Sequence, residues 1–236
     1  MKLASFEAIV RALNEAGVRY LVAGGLAVNA HGYLRFTKDA DFVVQLLPDN
    51  IKRAFAALEA LGYKPLAPVT AEQFADRATR EGWIRDKGMQ VLQLWSDRHR
   101  ETSIDLFVHE PFPFDEEYAN ALIKPLYGSI EVRFVGIPTL IKMKEAAGRE
   151  QDRIDIEPQT PDFDWRLTSF EGSRREQLRR WARLPLENIL LAIEEMQDIA
   201  RLLGTAPAGE SGESARGSSV SEPPVGYGKS GADRDG

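Results

Sequence analysis

Val22-Ala23-Gly24-Gly25, then thirteen residues, then Asp39-Ala40-Asp41-Phe42-Val43-Val44: this is the stretch whose reading decides the fold. Val18 to Ala23 is a short apolar run and predicts a buried strand. The glycine pair breaks that strand, and Leu26 to His31 resumes helical character before Gly32 ends it. Glycine lets the backbone approach a ligand closely, and a helix that opens at such a pair offers unpaired N–H groups to an anion. The same pair also serves as an ordinary tight strand-to-helix turn, so both readings stay open from these residues alone. In Asp39-Ala40-Asp41, residues i and i+2 of a strand point to one face. Two carboxylates on one face repel unless a cation lies between them. Because Phe42, Val43 and Val44 continue as an apolar strand, the acidic pair stands at the mouth of a core strand.

A third carboxylate follows. Ile104-Asp105-Leu106-Phe107-Val108 places one Asp in an otherwise apolar strand. A buried carboxylate without a partner is costly. Asp105 therefore either takes a positive partner in a structural role or joins Asp39 and Asp41 in a metal site.

Around these motifs the chain alternates strands and helices, which predicts an α/β (α+β) domain with a mixed sheet flanked by helices. An apolar stripe at Phe6, Ile9, Val10 and Leu13 predicts a first helix, with Ser5 as its cap and Gly17 as its end. Asp39–Leu47 reads as a strand, and Pro48-Asp49 opens a helix that ends at Leu61-Gly62. Further strands are expected at Met89–Trp95, Ser103–Val108 and Ile130–Phe134. Pro138 suits the first turn of a helix running to Gly148, and another helix is expected to begin near Gln151. The expected organisation is an α/β domain over 1–157, a Pro-rich acidic linker at 158–164, a helical segment at 165–204 divided near Pro185, and a Gly/Ser/Pro-rich disordered tail at 205–236.

Composition excludes several chemistries. With no cysteine among 236 residues there is no disulfide, thiolate metal site or thiol nucleophile, and three histidines make a His-rich zinc centre a poor expectation. No apolar run approaches the ~20 residues of a membrane helix, and the amphipathic start does not read as a signal peptide, so a cytoplasmic protein is expected. A net charge of −6 argues against broad nucleic-acid binding while leaving room for a local basic groove.

Taken together, the glycine pair after a strand, the Asp-x-Asp and the later strand Asp resemble the signature of the polymerase-β-like nucleotidyltransferases. The run His31-Gly32-Tyr33-Leu34-Arg35-Phe36-Thr37-Lys38-Asp39-Ala40-Asp41 is similar to a stretch of small prokaryotic members, including abortive-infection (AbiEii-type) toxins of toxin–antitoxin systems. Trp83, Lys87-Gly88-Met89 and Lys144 to Arg149 with Asp152 and Asp155 resemble the same group. The resemblance spans roughly Ala8 to Glu157. It implies a Mg²⁺-dependent transfer of NMP from an NTP to an acceptor hydroxyl, with two Mg²⁺ ions held by Asp39, Asp41 and Asp105. It implies that Gly24 and Gly25 bring backbone N–H groups to the phosphates, with Arg35, Thr37 and Lys144 in the nucleotide site. It further implies an RNA acceptor, such as a tRNA end, and an antitoxin protein as partner.

Each supporting residue also has a plainer role. Lys144 can be one solvated face of an amphipathic helix, Arg35 can brace the loop against an acid, and His31 can cap a helix. Asp152 and Asp155 can pair with Arg149, and Trp83 can pack in the core. Arg174, Arg175, Arg179, Arg180 and Arg183 form a basic helical cluster that either contacts RNA or a partner, or pairs with Glu171 and Glu176. Two other functions compete with RNA modification: transfer to a protein or a small molecule such as an aminoglycoside, and a non-catalytic nucleotide-binding or interaction module.

Overall fold

Strand β1 (Tyr20–Val22) and strand β2 (Asp39–Val44) are antiparallel neighbours at the middle of a seven-stranded mixed sheet. The computed structural model describes residues 1–33, 36–147 and 181–202. The remaining strands are β3 (Lys64–Pro65), β4 (Val91–Trp95), β5 (Ser103–Phe107), β6 (Leu122–Leu126) and β7 (Ile130–Phe134), in the order β3-β4-β5-β2-β1-β7-β6. β2 pairs in parallel with β5, and β1 pairs in parallel with β7.

Helix α1 (Leu3–Glu15) buries Phe6, Ile9, Val10 and Leu13, the stripe read from the sequence. Its Phe6 ring stacks on Phe42 of β2 at 6.4 Å. Ser5 does not cap this helix: Lys2 holds the cap position, and Ser5 is buried in the first turn, where its hydroxyl meets His99 Nδ1 at 2.9 Å. The C-terminal end is as expected. Gly17 takes φ +62°, its N–H reaches Asn14 O at 3.0 Å, and the Val18 N–H reaches Leu13 O at 2.9 Å. That paired closure needs a left-handed residue, which glycine supplies at no steric cost.

Helix α2 (Gly24–Ala30) follows β1 directly, and helix α3 (Pro48–Ala60) begins with the expected proline. Asn50 of α3 is buried. Its side chain accepts from Arg19 N–H at 2.8 Å and donates to Arg19 O and Gln45 O at 3.0 Å, tying the start of β1 to the end of β2. Short helices α4 (Ala71–Ala75), α5 (Arg77–Lys87) and α6 (Phe114–Asn120) lie between strands. Helix α7 (Ile137–Ala147) packs on α2, and Glu117 of α6 closes its first turn, accepting from Gly136 N–H and Thr139 Oγ1 at 2.6 Å each.

Helix α8 (Leu186–Leu202) starts after Pro185, the expected break, and packs against α1, α2 and β6. Leu186, Ile189, Leu190 and Ile193 are buried in the same core as the sheet. Glu194 accepts from the Leu3 N–H at 3.1 Å and pairs with Lys2 Nζ at 2.9 Å. The helix near Gln151, the linker at 158–164 and the tail at 205–236 fall outside the described residues.

Ile193→Ala should lower the unfolding free energy by about 2–5 kcal/mol, as for other large-to-small changes in a packed core. Urea denaturation followed by tryptophan fluorescence checks this; an unchanged midpoint would show that α8 adds nothing to the stability of the sheet.

Candidate active site

Strand alternation sorts β2 and β5 into two faces. Ala40, Phe42, Ile104 and Leu106 are fully buried in the core under α1, whereas Asp39, Asp41, Ser103 and Asp105 are half-buried on the opposite face. The parallel register sets Asp41 directly beside Asp105, and Asp39 beside Ser103. The three carboxylates read from the sequence therefore share one sheet face on adjacent strands, ~4.8 Å apart across the pair. The Ser103 hydroxyl donates to Asp39 Oδ1.

The glycine pair lies against this face. Because β1 and β2 are antiparallel, the end of β1 meets the start of β2, and the Ala23 N–H bonds Asp41 O at 2.9 Å. Gly24 has φ +57°, and a Cβ there would sit 2.0 Å from Asp41 Oδ2. Gly25 is as crowded on its other side, where a Cβ would fall 2.6 Å from Thr37 Oγ1. Thr37 is buried; its hydroxyl donates to Asp39 O at 3.2 Å, and its carbonyl accepts from Gln197 Nε2 of α8 at 3.4 Å. Gly24, Gly25, Thr37, Asp39 and Asp41 thus form one contiguous backbone cradle, with Asp105 beside it.

Lys144 is buried on α7, the helix that packs on α2, and is engaged by its surroundings. It is not the solvated residue that an amphipathic face would present. Arg35, Arg149, Asp152, Asp155 and four of the five clustered arginines lie outside the described residues; Arg183 is described. Trp83 packs against Phe74 with ring centroids 6.4 Å apart, which supports a core role. His31 holds Val135 O at 2.9 Å through Nε2 and so joins α2 to the end of β7.

Among the described residues, no group of three His, Asp or Glu side chains converges as a preformed metal cage. The donors nevertheless suit a hard divalent ion. Mg²⁺ takes one or two carboxylates and completes its shell with waters and substrate phosphates, and Gly24, having no Cβ, lets the backbone at the start of α2 approach the Asp41 carboxylate.

Sequence reasoning missed Ser103, Gln93 and Trp95. The signal was present, since Ser103 and Asp105, like Gln93 and Trp95, stand two apart in strands and so share a face. What could not be read was the pairing of β4 with β5, which puts Gln93 beside Asp105.

No protein-family model matches the chain, and no curated protein matches it. Solved structures that it is similar to include the lincosamide antibiotic adenylyltransferase LnuA bound to lincomycin, at 12% identity over 69% of this chain and 99% of that one, with a TM-score of 0.45. Another is the solution structure of the antibiotic-resistance factor ANT(2'')-Ia, at 14% identity over 87% and 99%, TM-score 0.40. The complex of ANT(2'')-Ia with adenylyl-2''-tobramycin is matched at 16% identity over 82% and 97%, TM-score 0.39.

Two outcomes follow from this geometry. Gly24→Ala should destabilise the protein more than Gly128→Ala, which has a similar φ of +71° but open space around it. The difference between the two urea midpoints isolates the clash with Asp41 from backbone strain; equal midpoints would mean that the close approach is not required. The second outcome concerns pH. His31, His99 and His109 are all held below the ordinary imidazole range, burial being the first cause in each. As pH falls through about 6.5, the unfolded chain binds protons that the folded protein resists, so stability present above that pH is lost on acidification. The urea midpoint should fall between about pH 7.5 and about pH 5.5, and His31→Gln should shrink that fall. An equal fall in the variant would remove His31 as a cause.

Proposed function

We propose that this protein is a nucleotidyltransferase that moves NMP from an NTP to an acceptor hydroxyl. The observation that carries the reading is the register that sets Asp41 beside Asp105, with Asp39 on the same face and Gly24 pressed against Asp41. Asp39 and Asp41 would hold the ion bound to the NTP phosphates, and Asp105 would complete a second site. Divalent ions, when bound, neutralise the triphosphate and acidify the attacking hydroxyl.

The glycine pair would keep side chains away from the triphosphate, and Ser103 would orient Asp39 through its hydrogen bond. The acceptor oxygen bonds to the α-phosphorus as the bond to the bridging oxygen breaks. Pyrophosphate leaves, and the hydroxyl proton passes to Asp105 or to water. Lys144 and Arg35 are proposed to offset charge on the phosphates. The acceptor is RNA if the likeness to abortive-infection toxins extends to function, with an antitoxin as the matching partner; a small molecule carrying a hydroxyl uses the same chemistry.

The test supplies each of the four α-labelled NTPs with Mg²⁺ to the purified chain, together with total RNA or a small-molecule extract. Label should appear in an acceptor, and Asp41→Asn should lower the rate by at least about a hundredfold, the scale seen when a group that stabilises transition-state charge is removed. Nucleotide binding without pyrophosphate release under every condition would leave a non-catalytic binding module instead.

A further inference from the structure

The face that carries the carboxylates continues past them. β4 lies antiparallel to β5, with Gln93 opposite Asp105, and the register carries Trp95 opposite Ser103. β3 sets Lys64 opposite Trp95, and the Leu66 N–H bonds Gln93 O at 2.9 Å. Two rows of side chains thus cross four strands. One row runs Asp39, Ser103, Trp95, Lys64; the other runs Asp41, Asp105, Gln93, Leu66.

The outer half of both rows is open. Trp95 is 41% exposed and Leu66 58%, and Gln93 and Lys64 are exposed as well. An indole and a leucine left together on a surface mark a contact site more often than a single exposed apolar residue does. This pair begins one strand beyond Asp105.

We infer that Trp95, Gln93 and Leu66 form the acceptor platform, and that the acceptor is a compact, hydroxyl-bearing ring compound such as a sugar or cyclitol. The inference rests on the nucleotidyl-transfer reading, and the order of elements across the sheet carries it. The glycine pair lies on the β1 side of Asp41, so the triphosphate occupies that side. Asp105 lies on the other side, and a hydroxyl that it activates must approach over β5 and β4. The first exposed side chains on that approach are Gln93 and Trp95.

The chemistry of the platform selects the ligand class. The indole offers a flat apolar face to a ring, while the Gln93 amide both donates to and accepts from hydroxyls. The open area spans ~10 Å across two strand spacings and ~7 Å along the strands, enough for one or two rings. A polynucleotide needs a basic track for its phosphates. These rows hold one cation, Lys64, against three carboxylates, and Arg100 nearby is paired with Asp97 at 3.6 Å.

The test uses the full chain labelled with ¹⁵N, whose four tryptophans give separate indole N–H signals; Trp95→Phe assigns the one from Trp95. Each NTP with Mg²⁺ is added first, then methyl α-glucopyranoside, glucosamine or myo-inositol. The expected result is a saturable shift of the Trp95 signal by at least one ring compound after the NTP is bound. Trp95→Ala should raise the KM for that compound in pyrophosphate release by at least about tenfold, with the KM for NTP unchanged. The inference is overturned if no ring compound moves the signal while NTP binds. It is equally overturned if NTP alone moves it, which would make Trp95 a nucleobase platform, or if only an oligoribonucleotide does. Failure of every NTP to bind would instead bring down the nucleotidyl-transfer reading, and the platform with it.

Discussion

The parallel pairing of β2 with β5 is the constraint on which the rest depends. Its backbone hydrogen bonds set Asp41 level with Asp105, at a register that also buries Ala40, Phe42, Ile104 and Leu106. A slip of one residue would turn the carboxylates into the core and the apolar side chains out to water. The cost of burying three carboxylates and the gain from burying four apolar side chains therefore reinforce each other. Site geometry and core packing are two consequences of one register.

That coupling explains what was legible beforehand. The period-two pattern in β2 and β5 was strong because one face is dry, so both strands and the common face of Asp39 and Asp41 could be read locally. The glycine pair was also visible, but its reason was not: Gly24 is required by the carboxylate of Asp41, seventeen positions later, and no local rule states that. The strands β3 and β6 were missed for a physical reason. β3 is two residues long, and β6 has Lys124 and Pro125 at its middle, a proline being a signal against a strand. Ser5 was misassigned because a hydroxyl before an apolar stripe imitates a cap, whereas here it serves His99.

The edges of the sheet are unlike each other. At one edge, Lys124 Nζ of β6 bonds the carbonyls of Ala182 and Leu184 at 2.7 and 3.3 Å, fastening the segment before α8 to the strand. At the other edge, β3 follows Tyr63, which is buried, stacks on His99 at 5.5 Å and donates its hydroxyl to Thr102 O at 2.9 Å. The platform strand is thus held from beneath while its upper face stays open. A rigid floor under an exposed contact surface lowers the ordering cost of binding.

Helix α8 has a consequence for how the chain comes into being. Helix α1, synthesised well before α8, meets it through Lys2, Leu3 and Glu194, residues far apart in the described chain. At ordinary synthesis rates about ten to forty seconds separate their emergence. During that interval the surfaces of α1, α2 and β6 that α8 covers are bare, and the Gln197 amide that steadies Thr37 has yet to be made. The nascent sheet must wait with an open seam, and completion of the cradle around Asp39 coincides with its closing.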